Sequence, residues 1–316
     1  MNVIVEREKG LLELEQRIAA LKAQAAQQPV DMGGVIQALE AKYAEIQREV
    51  FGTMTPWQRV NMARHPKRPL GSDYLAAFDQ FDELHGDRHF HDDHAIIGGF
   101  AKLRGRRVMA IAQDKGRDTR EKVMRNFGMP APEGYRKVTR LVALAEHLRL
   151  PVVTFIDTNG ADPGIGSEER AQAEAIAQSL YELADAQIPI VATVIGEGGS
   201  GGALALGLAD RVLMLEHSVY SVASPEGAAA ILWGDAARAE EAASRLRLTS
   251  DDLLQFGIID EIVGEPLGGA HRDAGGTIAR VLDAVDAALG VLVKVPLPDL
   301  LDRRYMKFRR IGAPVS

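Results

Sequence analysis

The apolar positions of this chain change their period along its length, and each change marks a different kind of element. Leu11, Leu14, Ile18, Leu21 and Ala25 fall at alternating steps of three and four with charges between them, the spacing of an amphipathic helix with a coiled-coil-like seam. Ile36, Leu39, Tyr43, Ile46 and Val50 repeat that stripe, so a second helix is expected over Val35–Val50, after a break at Pro29–Gly34. The two make a helical hairpin, read as a packing or oligomer arm. Thr55 followed by Pro56 is an N-cap and first-turn pair that opens a third, short helix. The prolines of Ala63–Pro69 turn the chain into a basic connector. Ser72 is expected to cap a helix running to about His85.

Further on the period shortens to that of strands. Ala95–Leu103 and Arg107–Gln113 read as two strands joined at Arg104–Arg106. The Pro/Gly-punctuated stretch Phe127–Tyr135 reads as loop. The helix after it, Tyr135–Leu148, carries Arg136, Lys137 and Arg140 on its first turns, facing a partner or solvent. From Pro151 a strand, loop, helix order repeats: a buried strand to Asp157, a turn-rich loop over Thr158–Gly166, and a helix capped by Ser167 that ends near Gln187. Arg211–Glu216 and Ser218–Ala223 are further strands. Ser224 caps a helix with Pro225 in its first position. Thr249–Gly257 is a capping box with a C-terminal glycine, and Ile258–Val263 is a last strand. The class is α/β.

The stretch Pro189–Ala209 joins an apolar, β-branched strand, of the kind buried on both faces, to an uncharged Ala/Leu-rich helix. Between them stand Gly196, Gly198, Gly199, Gly201 and Gly202. A glycine turn that opens a helix lets backbone approach a ligand and aims free N–H groups at one point, which holds an anion. Gly196, Gly198 and Gly201 fit G-x-G-x-x-G, with Glu216 ending the next strand as a ribose-binding acid would. A nucleotide-binding oxidoreductase is therefore an open alternative. Against it, the following helix lasts only about eight residues and the motif lies mid-chain. The loop lacks the Gly-Lys-Ser/Thr ending of a phosphate-binding P-loop, and no nucleophile-base arrangement is in sight; Ser200 is read as a turn residue. A pair of backbone N–H donors without a nucleophile suits an oxyanion hole.

Composition narrows the partners. The chain has 316 residues, 46% apolar content and a net charge of −7, which argues against general nucleic-acid binding. It has no cysteine, so thiol catalysis and thiolate zinc are excluded. No apolar run approaches the roughly 18–20 residues of a membrane span, and the acidic N-terminus lacks a signal core; a cytoplasmic location is expected. His89, His91, Asp92, Asp93 and His94 in Gly86–His94 are ligand-type residues, but neighbours in a loop do not converge as a metal helix pair does. A solvated loop is expected and no metal. Lys115, Arg117 and Arg120 in the charged loop Asp114–Lys122 are candidates for contact with an anionic substrate. Asp302–Arg310 is a basic tail read as a partner surface.

Several stretches together carry a resemblance: Gly98–Gly99, Asn126–Lys137, Phe155–Arg170, Val194–Ala205, Ser224–Gly227 and Glu265–Arg272. In that order, from about Leu70 to Arg272, they resemble the alpha subunit of the carboxyltransferase component of bacterial acetyl-CoA carboxylase. The resemblance implies a crotonase-like spiral of ββα units, with a helical arm over residues 1–54, the transferase domain over 55–295 and the basic tail over 296–316. It implies transfer of a carboxyl group from carboxybiotin, borne on a biotin carboxyl carrier protein that biotin carboxylase charges, to acetyl-CoA, giving malonyl-CoA for fatty acid synthesis. It implies an α2β2 assembly with the site between subunits, zinc only in the beta subunit, and no cofactor attached to this chain. Carried over, Gly201 and Gly202 donate their N–H groups to the ureido oxygen of biotin, and Gly160, Ala161, Gly199 and Ser200 line the substrate site. The beta subunit supplies the matching hole for the acetyl-CoA enolate, and the departing biotin acts as base. The chain departs from the family at D-T-N-G-A-D-P-G, where D-T-P-G-A-Y-P-G is usual, and at Gln113–Asp114, where His-Gln is usual. A carboxylate at Asp162 would repel carboxybiotin unless it points away. On Asn159 and Asp162 rests a third reading, a non-catalytic relative.

Overall fold

The computed structural model describes residues 3–27 and 32–312. Two helices, α1 (Val3–Gln27) and α2 (Gly33–Phe51), form the hairpin arm, and α3 (Pro56–Ala63) and α4 (Gly71–Ala76) lead into the sheet. Then follow β1 (Gln80–Glu83), β2 (Ile96–Leu103), β3 (Arg106–Gln113), α5 (Thr119–Met124), α6 (Pro132–His147) and β4 (Val152–Thr158). The chain continues through α7 (Ile165–Glu169), α8 (Gln172–Asp185), β5 (Ile190–Gly199), α9 (Ser200–Gly207), β6 (Arg211–Leu215), β7 (Val219–Ser221) and α10 (Pro225–Trp233). It ends with α11 (Ala239–Leu246), α12 (Ser250–Gln255), β8 (Glu261–Val263), α13 (Ala274–Leu292) and α14 (Leu297–Arg310). Part of the expected break at Pro29–Gly34 falls on residues 28–31, outside the described ones.

Seven strands follow one another in the order β1-β2-β3-β4-β5-β6-β8, antiparallel up to β3 and parallel beyond, while β7 pairs β5 off this path. Side chains alternate across a strand, and so split the interior into two layers. Val108 and Ala110, Val153 and Phe155, and Leu213 and Leu215 meet Tyr74 of α4 and Val281, Val285 and Leu289 of α13. Met109 and Ile111, Val152 and Ile156, and Val212 and Met214 meet Tyr135, Val138 and Leu141 of α6, Leu183 of α8 and Leu206 of α9. Covering both faces explains why these strands read as continuous apolar runs.

Four expectations need correction. The helix from Ser72 to His85 stops at Ala76, and Gln80–Glu83 becomes an edge strand because its backbone finds a partner in β2. Asp73 sets the start of α4 by accepting the Leu70 N–H at 2.8 Å; the Ser72 N–H goes to Asp114 instead. Helix α6 begins at Pro132, inside the stretch read as loop, with proline in its first turn. The helix expected from Ser167 is two: Gly164 precedes α7, and Ala171, at φ 64°, breaks the chain before α8.

The arm is tied to the core at one buried point. His65 Nε2 lies 3.0 Å from Glu8 Oε2 and His271 Nε2 lies 2.8 Å from Glu8 Oε1, with the two rings stacked 3.7 Å apart. Burial opposes the Glu8 charge, but hydrogen bonds from His271 and His65 outweigh it and hold the carboxyl at about 2, below its ordinary 4.5. Burial pushes His271 below its ordinary 6.5. Both groups therefore contribute stability that is complete above pH 6.5, falls away first as His271 is forced to protonate, and falls further from pH 4.5 toward 2. Glu8→Gln is expected to weaken arm docking by about 1.5–3 kcal/mol, the range for hydrogen bonds to a charged group. Limited proteolysis checks this: cleavage within residues 3–51 should accelerate in the variant at pH 7.5, and in the parent on going from pH 7.5 to 5.5.

Candidate functional site at the glycine elbow

Strand β5 does not end where its glycines begin. It runs on through Gly196, Gly198 and Gly199, and helix α9 starts at once with Ser200, so strand and helix meet at an elbow. Ser200, at φ 52°, makes the bend. No side chain caps α9, which leaves its first-turn N–H groups for a ligand or water. Along β5 the pairing with β4 slips: Val194 stands opposite Ile156, but Gly198 opposite Thr158. This bulge turns the end of β5 away from β6 and onto β7, where Glu197 pairs Val219.

The loop after β4 lies directly on this elbow. A Cβ at Gly199 would stand 2.1 Å from the Asn159 carbonyl oxygen; one at Gly202 would stand 2.5 Å from the Ala161 nitrogen and 2.6 Å from the Gly160 carbonyl carbon. Only glycine permits backbone to approach backbone so closely. Gly160, Ala161, Gly199, Ser200, Gly201 and Gly202 are thus brought together from two loops. Gly201 is half-buried and lines an apolar groove of about 560 Å³ with Leu204, Tyr220, Val222 and Phe308. Gly202 is buried beneath the Gly160–Ala161 peptide.

Below the elbow lie further residues: sequence reading named Lys115 as an anion contact and Gln113 as a departure from the family, but did not single out Arg64, Tyr135 or Glu197. Gln113 Nε2 donates to the Gly202 carbonyl at 2.8 Å, and the Tyr135 hydroxyl is buried beside Gly202. Glu197, the one acid within the glycine run, is buried between two cations: Arg64 Nε lies 2.6 Å from its Oε1 and Lys115 Nζ 2.6 Å from its Oε2. Lys115 also reaches Asp157 Oδ1 at 2.7 Å. Burial alone would raise the Glu197 carboxyl, but Lys115 and Arg64 lower it; burial wins at Asp157, which is raised. The signal available in the sequence was a charged residue inside an otherwise uncharged run.

The other candidates have structural partners. Lys115 is taken up by those two carboxylates, and Arg117 pairs with Asp73 at 2.6 Å; Arg120 is exposed. Lys137 is buried on Asp92 and the Ile96 carbonyl, while Arg136 and Arg140 reach the Arg170 and Gly86 carbonyls. These cations, in the second and third turns of α6, therefore bind neighbouring segments of the chain. In Gly86–His94 the histidines are exposed as expected, but Asp87 and Asp93 are buried and accept backbone N–H groups of His89, Phe90, Ala95 and Ala131. The basic tail is a helix with Arg304 and Lys307 turned inward, leaving Arg303, Arg309 and Arg310 outside. The Asp162 carboxylate is engaged within its own loop, where it accepts from the Ser167 hydroxyl and the Gly164 N–H. Among the described residues one group of three metal-ligand types converges, Glu8, His65 and His271. There the Lys67 N–H donates to His65 Nδ1 at 3.2 Å, which puts the His65 proton on Nε2, facing Glu8 as a donor and not as a ligand.

The dinucleotide alternative loses its footing. Gly196 and Gly198 lie within β5, where Asp157 Oδ1 and the Tyr220 ring fill the space of their missing side chains. Glu216, the proposed ribose acid, accepts the Glu265 N–H.

A family model described as acetyl co-enzyme A carboxylase carboxyltransferase-like matches residues 4–312. Curated relatives include the acetyl-coenzyme A carboxylase carboxyl transferase subunit alpha of Geobacter metallireducens, 52% identical over 98% of this chain and 97% of its own length. That of a Geobacillus species is 50% identical over 98% and 95%. Among solved structures the fold is similar to transcarboxylase 12S, at TM-score 0.56 and 20% identity, over 70% of this chain and 41% of that one. It is also similar to a chain of a Pseudomonas malonate decarboxylase hetero-tetramer, at TM-score 0.55 and 18% identity, over 68% and 89%. These likenesses bear out the crotonase-like α/β class.

Proposed function

The chain belongs to the family of acetyl-CoA carboxylase carboxyl transferase alpha subunits, and from that membership we propose that its glycine elbow serves carboxyl transfer from carboxybiotin to acetyl-CoA. The observation that carries this reading is the stacking of Asn159–Ala161 on Gly199–Gly202 at the uncapped start of α9. First-turn N–H groups suit an oxygen that gains negative charge, and the positive end of the helix adds to their effect. Such a donor set fits the ureido oxygen of biotin, with Gly201 and Gly202 as the donors. Carboxybiotin supplies the activated carboxyl group. This chain's part is to hold the ring oxygen and exclude water from the elbow, with the Asp162 carboxylate occupied by the Ser167 hydroxyl and the Gly164 N–H. Family membership supports an enzyme subunit over a non-catalytic relative.

The donors at the elbow are backbone groups, with Ser200 at the bend, and the groove beside Gly201 is open on the apolar side. The second half of the site is therefore assigned to a beta subunit, in an α2β2 assembly supplied by a biotin carboxyl carrier protein and biotin carboxylase. The family resemblance assigns zinc to that beta subunit, and the lack of cysteine in this chain agrees with it. Residues 1–54 act as arm, 55–295 as transferase domain and 296–316 as tail. No helix among the described residues is long and apolar enough to cross a membrane, in keeping with a cytoplasmic enzyme. The test is reconstitution: the chain alone should form no malonyl-CoA from acetyl-CoA and a carboxybiotin donor, and should do so on adding the beta subunit. Full rate from the chain alone overturns the shared site.

A further inference from the structure

We propose that Lys115 and Glu197 act as positioning residues for carboxyl transfer, forming an ionic staple across the β5 bulge that aims the glycine elbow; this rests on the function proposed above. The bulge is where the elbow's direction is set, because two extra residues of β5 are accommodated between the Val194–Ile156 and Gly198–Thr158 pairs. A bulge loosens the ladder and leaves an unpaired residue, so something else must fix it. Here Asp157 Oδ1 accepts the Glu197 N–H at 2.9 Å and takes Lys115 Nζ at 2.7 Å, while Lys115 also holds Glu197 Oε2 at 2.6 Å. Lys115 follows β3, Asp157 is the last residue but one of β4 and Glu197 lies near the end of β5, so three adjacent strand ends meet on one ammonium group.

The staple has no slack. A Cβ at Gly196 would lie 2.4 Å from Asp157 Oδ1, and one at Gly128 would lie 2.5 Å from Lys115 Cγ. The far side of Glu197 is held by Arg64, whose Nη1 lies 2.5 Å from Glu226 Oε1 at the start of α10. The side chains of Asp157 and Glu197 are 6% and 8% exposed. Without Lys115 the two acids would face one another with little water between them, and repulsion would open the bulge. Glu197 lies four residues before Gly201, so a shift there is carried by a strand into the donors. Misplacing reacting groups by about 1 Å can cost about 10²-fold in rate.

The test uses the complex with the beta subunit and reads two things: malonyl-CoA formation and amide hydrogen exchange of the segment 196–203. Lys115→Met is expected to lose about 10²-fold in kcat with KM for acetyl-CoA unchanged, and to exchange faster in 196–203 but not in 108–113. Lys115→Arg should keep most of the rate by keeping the charge. The double variant Lys115→Met with Glu197→Gln should recover much of the loss, because it removes the repulsion as well as the pair. If Lys115→Met does not assemble, Glu197→Gln takes its place with the same expected loss and exchange. Unchanged kcat, unchanged exchange in 196–203, or single losses that simply add in the double overturns the staple. A parent complex that does not carboxylate acetyl-CoA overturns the function instead, and the exchange result still judges the staple.

Discussion

Gly202→Ala should abolish nearly all turnover, while Gly201→Ala, one residue away, should cost at least tenfold less. Both variants keep the backbone N–H, so the difference isolates the geometry of the elbow. A methyl group at Gly202 would lie 2.5 Å from the Ala161 nitrogen and 2.6 Å from the Gly160 carbonyl carbon, atoms of a backbone that cannot swing aside. At Gly201 the nearest atom is Ile176 Cγ2 at 3.6 Å, an ordinary contact. Forcing the two loops apart displaces both the donors and the wall they face. The loss of one oxyanion donor is worth about 10²–10³ in kcat, and Gly202→Ala is expected in that range. Turnover of the reconstituted complex measures it, with subunit association followed in parallel. Equal losses at both positions would show that the loop contact does not set the site.

The second large effect concerns stability. Arg304 is 2% exposed and uses its whole guanidinium: Nε and Nη2 bind the two oxygens of Asp210 at 2.8 Å, Nη1 donates to the Leu183 and Ala186 carbonyls at 2.9 and 2.7 Å, and Nη2 donates to the Ile188 carbonyl at 2.7 Å. These carbonyls lie in the last turn of α8 and just beyond it, where the helix itself offers no partner. Arg304→Met removes all five donors and leaves Asp210 buried and unpaired. A loss of about 3–5 kcal/mol is expected, as for breaking a buried ion pair from one side. Arg304→Lys should fail nearly as badly, because three donors on a point cannot replace a planar fork. Chemical denaturation of the purified chain checks both; a midpoint unchanged in Arg304→Met would remove this residue from the account of how the tail is held.

The tail illustrates where reading along the chain falls short. Its net charge suggested a surface, yet the same charges serve two ends: Arg304 and Lys307 turn inward to acids more than forty residues away, and Arg303, Arg309 and Arg310 turn outward. Helical period sorts faces, but it does not say which face meets a buried acid. The same holds for Lys115, a candidate for substrate contact that instead holds strand ends together.

Local order is enough for much of this protein. Caps at Thr55, Ser224 and Thr249 place three helix starts because each acts on N–H groups within its own first turn. Alternating and continuous apolar runs place the strands, and the clustering of glycine beside an uncharged helix marks the chemical centre. Folding alone decides the rest: the edge strand Gln80–Glu83, the bulge in β5, the seat of Asn159–Ala161 on Gly199–Gly202, and the ions gathered on Lys115. Each of these depends on groups well apart in the chain, from 16 to 22 positions in the edge strand to 40 and 82 for Glu197 with Asp157 and with Lys115. A turn or a cap is a free-energy minimum of a few consecutive residues, whereas contacts between distant segments exist only once the two-layered core has brought strand ends together.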